Sequence, residues 1–170
     1  MSDTKKIVIT GKQNIDRLTK KKNKRIRCMA QEKDYSYKDE CNIITCLVNN
    51  DVSKSIFIET KKEIERKISG YRQQDQKKQV FDKNKLISLL ETLLKLDKCK
   101  LKCYYCKERV KILYRIVRDP KQWTLDRIDN DKCHSNENTL ISCLSCNLKR
   151  RVTNKETFEF FRKITIIKKE

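Results

Sequence analysis

Four cysteines in two closely spaced pairs, Cys103-x-x-Cys106 and Cys143-x-x-Cys146, carry the clearest chemistry in this sequence. Each pair can turn tightly enough for both sulfurs to reach one ion at roughly 2.3 Å, and together they supply a tetrahedral shell of thiolates. Such a shell leaves no open coordination position, so the spacing predicts a structural zinc rather than a catalytic one. The second pair enters a predicted helix, whose first amides favour anionic sulfur. Cys99, with three residues between it and Cys103, is a competing ligand of less usual spacing. Cys28, Cys41, Cys46 and Cys133 read as ordinary buried or half-buried thiols.

Between the pairs lies the densest polar stretch of the chain, WTLDRIDNDKCHSNEN, which holds Asp126, Asp129, Asp131, His134 and Asn138. Carboxylates are scarce in so basic a protein. Clustered oxygen ligands suit a hard cation such as Mg2+ placed beside a substrate phosphate. The other reading is turn chemistry, because Asp and Asn side chains also tie loops through hydrogen bonds to their own backbone. His134 is the only histidine in the sequence. Its imidazole can serve as a proton acceptor near neutral pH, or it can pack as a structural side chain.

The elements that must position these groups are read from periodicity and turn signals. Two β-prone runs, residues 43–48 and 55–58, flank Asn49-Asn50-Asp51 and predict a hairpin. Ile64, Ile68 and Tyr71 recur at helical spacing and predict a helix over residues 61–79. Asn84 then caps a leucine-rich helix over 85–96, expected to pack as core against the zinc module. Strand-like runs follow at 110–117, 123–128 and 139–142, with a short helix after Cys146. Thr153 and Glu156 form a capping box for a last helix bearing Phe158, Phe161 and Ile164. The resulting division is a basic arm without fixed structure (1–40), a hairpin and helical extension (41–97) and a zinc-bracketed domain (98–170).

Lys and Arg number 42 against 23 acidic residues, a formal charge of +19. That excess predicts attraction to polyanions, nucleic acid first among them. The cluster Lys20, Lys21, Lys22, Lys24, Arg25 and Arg27 is either a solvated tail or a nucleic-acid arm. No apolar run approaches the roughly 20 residues that span a bilayer, so no membrane role is expected. The opening MSDTKKIVITGKQ lacks a secretory apolar stretch, and nine cysteines then point to an intracellular, reducing compartment. Nothing in the sequence sets the oligomeric state.

The order of motifs resembles the zinc-bracketed HNH endonucleases, the ββα-metal or His-Me finger group. It is carried by Cys103-Tyr-Tyr-Cys106, Leu125-Asp126-Arg127-Ile128, Asn138 and Cys143-Leu-Ser-Cys146-Asn147-Leu-Lys149-Arg150. The stretch QWTLDRIDNDKCHSNENTLISCLSCNLKRR is similar to HNH-like proteins of large DNA viruses, which would place the chain in host cytoplasm or nucleus. The resemblance spans about residues 98–161. It implies an α+β fold, a treble-clef-like zinc module containing a ββα-metal element, preceded by helices.

The resemblance also implies roles. Asp126 and Asn147 would bind a catalytic Mg2+ or Mn2+, and Asn138 would brace the loop that carries the general base. The family's catalytic His falls at Arg127, and a guanidinium that stays protonated cannot take a proton from water. His134 in the same loop is the replacement base to test, with Arg127 acting as a phosphate clamp. Lys149, Arg150 and Arg151 would neutralise phosphates of the nucleic acid, expected to be DNA. The expected function is phosphodiester hydrolysis; the alternative is an inactive zinc-stabilised nucleic-acid-binding protein on the same scaffold.

Overall fold

The computed structural model describes residues 10–13, 15, 25–26, 35–51 and 53–163. Among these residues the chain is α+β, with five helices and one two-stranded sheet. In order they are α1 (Tyr37–Val48), α2 (Ser55–Lys77), α3 (Leu89–Lys98), β1 (Trp123–Arg127), β2 (Thr139–Cys143), α4 (Leu144–Arg150) and α5 (Lys155–Lys163). Lys20, Lys21, Lys22, Lys24, Arg27, Cys28 and Ile164, named above, lie outside the described residues. No helix among the described residues is long and apolar enough to cross a membrane.

The hairpin expected over residues 43–58 does not form; its two runs are the end of α1 and the start of α2. Ser36 opens α1 with a capping box, its hydroxyl accepting from the Asp39 amide while Asp39 accepts from the Ser36 amide. The buried positions are Glu40, Ile43, Ile44 and Leu47, a 3.6-residue stripe rather than an alternation. Burying each Ile or Leu is worth about 1.5–3 kcal/mol, whereas β-branching costs a helix only some tenths, so the stripe decides. α2 starts six residues earlier than residue 61, because Phe57 and Thr60 continue inward the face of Ile64 and Tyr71.

Ser88, not Asn84, caps the leucine-rich helix, and it does so with Glu91 as the partner of its capping box. The helix begins later because the Ile87 amide donates to His134 O at 2.8 Å and Leu86 bridges Ser135, which holds that stretch extended. Thr92, Leu93 and Leu96 are buried, but Leu90 and Leu94 are exposed, so only one face of α3 is core. Residues 110–117 are not a strand. The Ile112 and Leu113 amides donate instead to the buried Glu40 carboxylate at 3.1 and 3.0 Å, and only isolated bridges remain, Lys111 to Gln122 and Ile26 to Ile116.

β1 and β2 pair antiparallel with Trp123 opposite Cys143 and Asp126 opposite Leu140. Both are buried almost throughout: α4 packs on both strands, α3 packs on β2, and Tyr71 of α2 reaches β1. α5 is capped by Asn154, whose Oδ1 accepts from the Thr157 amide, rather than by Thr153. Phe158 packs edge-on to Tyr105 at 4.9 Å, while Phe161 is exposed and contributes nothing to the core.

Candidate metal centre and adjoining cleft

The first knuckle is a tight turn. Cys103 N donates to Glu108 O, Lys107 N donates back to Cys103 O, and Lys107 takes a positive φ of 61° to close it. The second begins where β2 ends: Cys143 is the N-cap of α4, and its sulfur accepts from the Cys146 amide at 3.4 Å. Tyr104 N donates to Ile141 O and so docks the first knuckle against β2. The four sulfurs come within 4.8 Å of one another, with Cys106 and Cys143 at 3.9 Å. A tetrahedron with bonds of about 2.3 Å has sulfurs roughly 3.8 Å apart, so this cluster can hold a zinc ion.

The protons tell the same story. A hydrogen bond from Cys143 holds the Cys103 thiol down at about 4, against burial. That pairing and burial push Cys143 up, and burial lifts Cys146 to about 12. Cys103 is therefore a thiolate at neutral pH, while Cys143 and Cys146 keep their protons unless a cation takes their place. Cys99 is not part of the cluster; it ends α3, and its thiol donates to Leu96 O.

Beside the centre, β1, α2 and α4 enclose a cleft of about 600 Å³. Asp126, His134 and Asn147 all line it, with Lys67, Lys78, Arg127 and Arg151 as its cations. Asp126 is its one carboxylate.

Asp126 Oδ2 accepts from Tyr105 Oη at 2.7 Å and Oδ1 from Arg150 Nη1 at 2.8 Å. Burial raises its carboxyl above the usual range, and these two donors oppose that shift. Burial also raises the Tyr105 phenol, ahead of the effect of Asp126, which keeps it a donor. Asn147 uses its amide nitrogen on Thr124 Oγ1 at 3.1 Å and Leu125 O at 3.4 Å, so its Oδ1 keeps its acceptor capacity. A carboxylate oxygen has two lone pairs, so each oxygen of Asp126 retains one as well. The cleft thus offers one carboxylate and one amide oxygen with acceptor capacity to spare.

No protein-family model, curated protein or solved structure matches this chain.

Arg150 is a correction to the phosphate-binding set. It is 1% exposed, paired with Asp126, and donates to Ile128 O at 2.8 Å, so it belongs to the core and cannot meet an external phosphate. Its neighbours on α4 differ: Lys149 and Arg151 line a second groove of about 480 Å³ that shares Leu144, Leu148 and Arg151 with the main cleft. Arg127 is buried, with Nη1 3.5 Å from Asp75 Oδ1 and 3.2 Å from Lys132 O. Asn138 is outside the cleft lining. It ties the loop on three sides, accepting from the Asp129 amide and donating to Asp129 O and Cys133 O. Asp129 itself accepts from the Asp131 amide, which is turn chemistry.

Two residues escape the sequence reading. Tyr105 lies between the first two cysteines, and its hydroxyl donates to Asp126. Asp75 on α2 is fully buried and contacts both His134 and Arg127. Its signal was available: Ile64, Ile68, Tyr71 and Asp75 follow one helical stripe, and an acid continuing an apolar stripe must find a partner.

Proposed function

We propose that this chain is a phosphodiesterase of the HNH type that cuts nucleic acid, DNA first, in the cleft beside its zinc centre. The observation that carries the reading is the convergence of Asp126, His134 and Asn147, from three separate segments, on one cation-lined cleft. In this reading the β1–β2 hairpin followed by α4, with the second cysteine pair at the start of that helix, is the ββα-metal element within a treble-clef-like module. The zinc supplies rigidity, since four sulfurs leave it no open position.

In this reading Asp126 and Asn147 hold a Mg2+ or Mn2+ ion, which when bound polarises the scissile phosphate and stabilises the leaving 3′ oxygen. Tyr105 and Arg150 orient the Asp126 carboxylate. Lys149 and Arg151 take the flanking phosphates along the second groove, and Arg118 at its far wall extends the track.

A second reading is favoured by one observation. Asp126 is already ion-paired with Arg150, as it would be in a nucleic-acid-binding module that has lost catalysis. Both readings predict salt-sensitive binding; only the first predicts metal-dependent turnover. Supercoiled plasmid and single-stranded DNA incubated with Mg2+ or Mn2+ separate them. Cleavage that Asp126→Ala reduces by about 10²-fold or more supports the nuclease. Zinc-replete protein that binds DNA yet never cuts it supports the binding module.

A further inference from the structure

We propose that Asp75 is the positioning residue of a displaced general base, with His134 Nε2 taking the proton of the attacking water. This rests on the phosphodiesterase reading and adds the group that the Arg at position 127 cannot supply.

Asp75 sits one helical turn beyond Tyr71 on α2 and is fully buried. Its Oδ1 lies 2.6 Å from His134 Nδ1, and its Oδ2 accepts from the His134 backbone amide at 2.8 Å. A carboxylate only accepts, so the imidazole proton must sit on Nδ1, and Nε2 carries the lone pair. The ring is held on one face by Tyr71, with centroids 4.7 Å apart, and the His134 carbonyl is pinned by the Ile87 amide. One side chain therefore fixes tautomer and orientation together, while the imidazole borders the cleft that holds Asp126 and Asn147.

Arg127 completes the assembly from behind. Its guanidinium approaches the same Asp75 oxygen at 3.5 Å and leaves the proton-accepting role to the neighbouring ring. The charged groups facing His134 are Asp75, Arg127 and Lys78; burial lowers the imidazole pKa most, Arg127 and Lys78 add to that, and Asp75 opposes it. A neutral imidazole is the form a base must have.

In the step itself a water O–H bond breaks and its proton goes to His134 Nε2. The water oxygen bonds to phosphorus, and the P–O3′ bond breaks with its electron pair on the 3′ oxygen, which solvent protonates. The imidazolium so formed lies against the Asp75 carboxylate until it returns its proton to solvent.

The test uses the full zinc-loaded chain and single-turnover plasmid cleavage with Mg2+. His134→Ala and Asp75→Asn should each lose about 10²–10⁴-fold, and the double variant should lose no more than the worse single one. Nitrogen NMR of the imidazole should show a proton on Nδ1 and a bare Nε2 in the wild type, and a changed pattern in Asp75→Asn. If Asp75→Asn melts below the assay temperature, His134→Gly should regain activity with added imidazole. Wild-type rates in His134→Ala beside a dead Asp126→Ala would overturn this inference and leave the phosphodiesterase standing. An imidazole spectrum unchanged in Asp75→Asn, or no rescue by imidazole, would also overturn it. Wild type that cuts nothing would remove both.

Discussion

Neighbouring residues on α4 have opposite fates. Arg150 is sealed under the sheet against Asp126 while Arg151 lines both grooves. Arg150→Ala should lower stability by about 3 kcal/mol, because it leaves the Asp126 carboxylate buried without its cation. Arg151→Ala should leave thermal melting nearly unchanged, and parallel melts of the two variants check the contrast. Cys143→Ser removes a metal ligand while its hydroxyl can still cap α4. It should drop the zinc content well below one per chain and abolish the cooperative melt of the C-terminal half, and normal zinc content would refute the site. His134 carries a pH signature of its own. Its folded pKa is depressed, so below the unfolded value near 6.5 the unfolded chain binds the extra proton. Stability from this group is present above about pH 6.5 and is lost as pH falls toward the folded value. The melting-temperature difference between pH 7.5 and 6.0 should therefore shrink in His134→Gln.

At the scale of elements, the hairpin, the knuckle and α4 form one continuous stretch of chain, and the helices before them act as its backing. α2 presents Tyr71 and Asp75 to the sheet, where Tyr71 Oη accepts from the Leu125 amide. α1 contributes through Glu40, which is 1% exposed, pairs with Arg109 at 2.6 Å and receives two amides of the following segment. That acid substitutes for a strand partner: it consumes the donors that residues 110–117 would have offered a neighbouring strand. Glu40→Ala should cost about 3 kcal/mol, since it orphans two buried amides and the Arg109 head at once. Chemical denaturation of the two proteins, with an unchanged slope, is the measurement.

Over the whole molecule the formal charge of +19 sets the long-range field, and the fold decides where that field can be used. On the nuclease reading, Lys149 and Arg151 meet phosphates in the outer groove. Replacing both with Ala should then reduce the salt slope of DNA binding by about 1.8, near 0.9 for each lost contact. Binding titrations at several salt concentrations check this, and an unchanged slope would place the DNA path elsewhere. The cysteine cluster and the cleft share α4, so loss of metal should also loosen Asn147 and its hold on Thr124.

What was legible in the sequence was local. The Cys-x-x-Cys spacing marks a metal cluster because each pair closes its own turn, whatever the rest of the chain does. The strands at 123–127 and 139–143, and the short helix after them, likewise follow from short-range pattern. The hairpin expected over 43–58 failed because β-branched residues were weighed by propensity, whereas burial on the 3.6-residue stripe is the larger energy. The tertiary structure alone decided which charges face inward. Arg150 and Arg151 are adjacent cations in the sequence, and only the place of α4 against β1 separates a core ion pair from a groove wall. Asp75 and His134 are 59 positions apart, so no spacing rule joins them. They meet because a buried acid needs a donor, and the packing of α2 on the hairpin loop places that donor within reach.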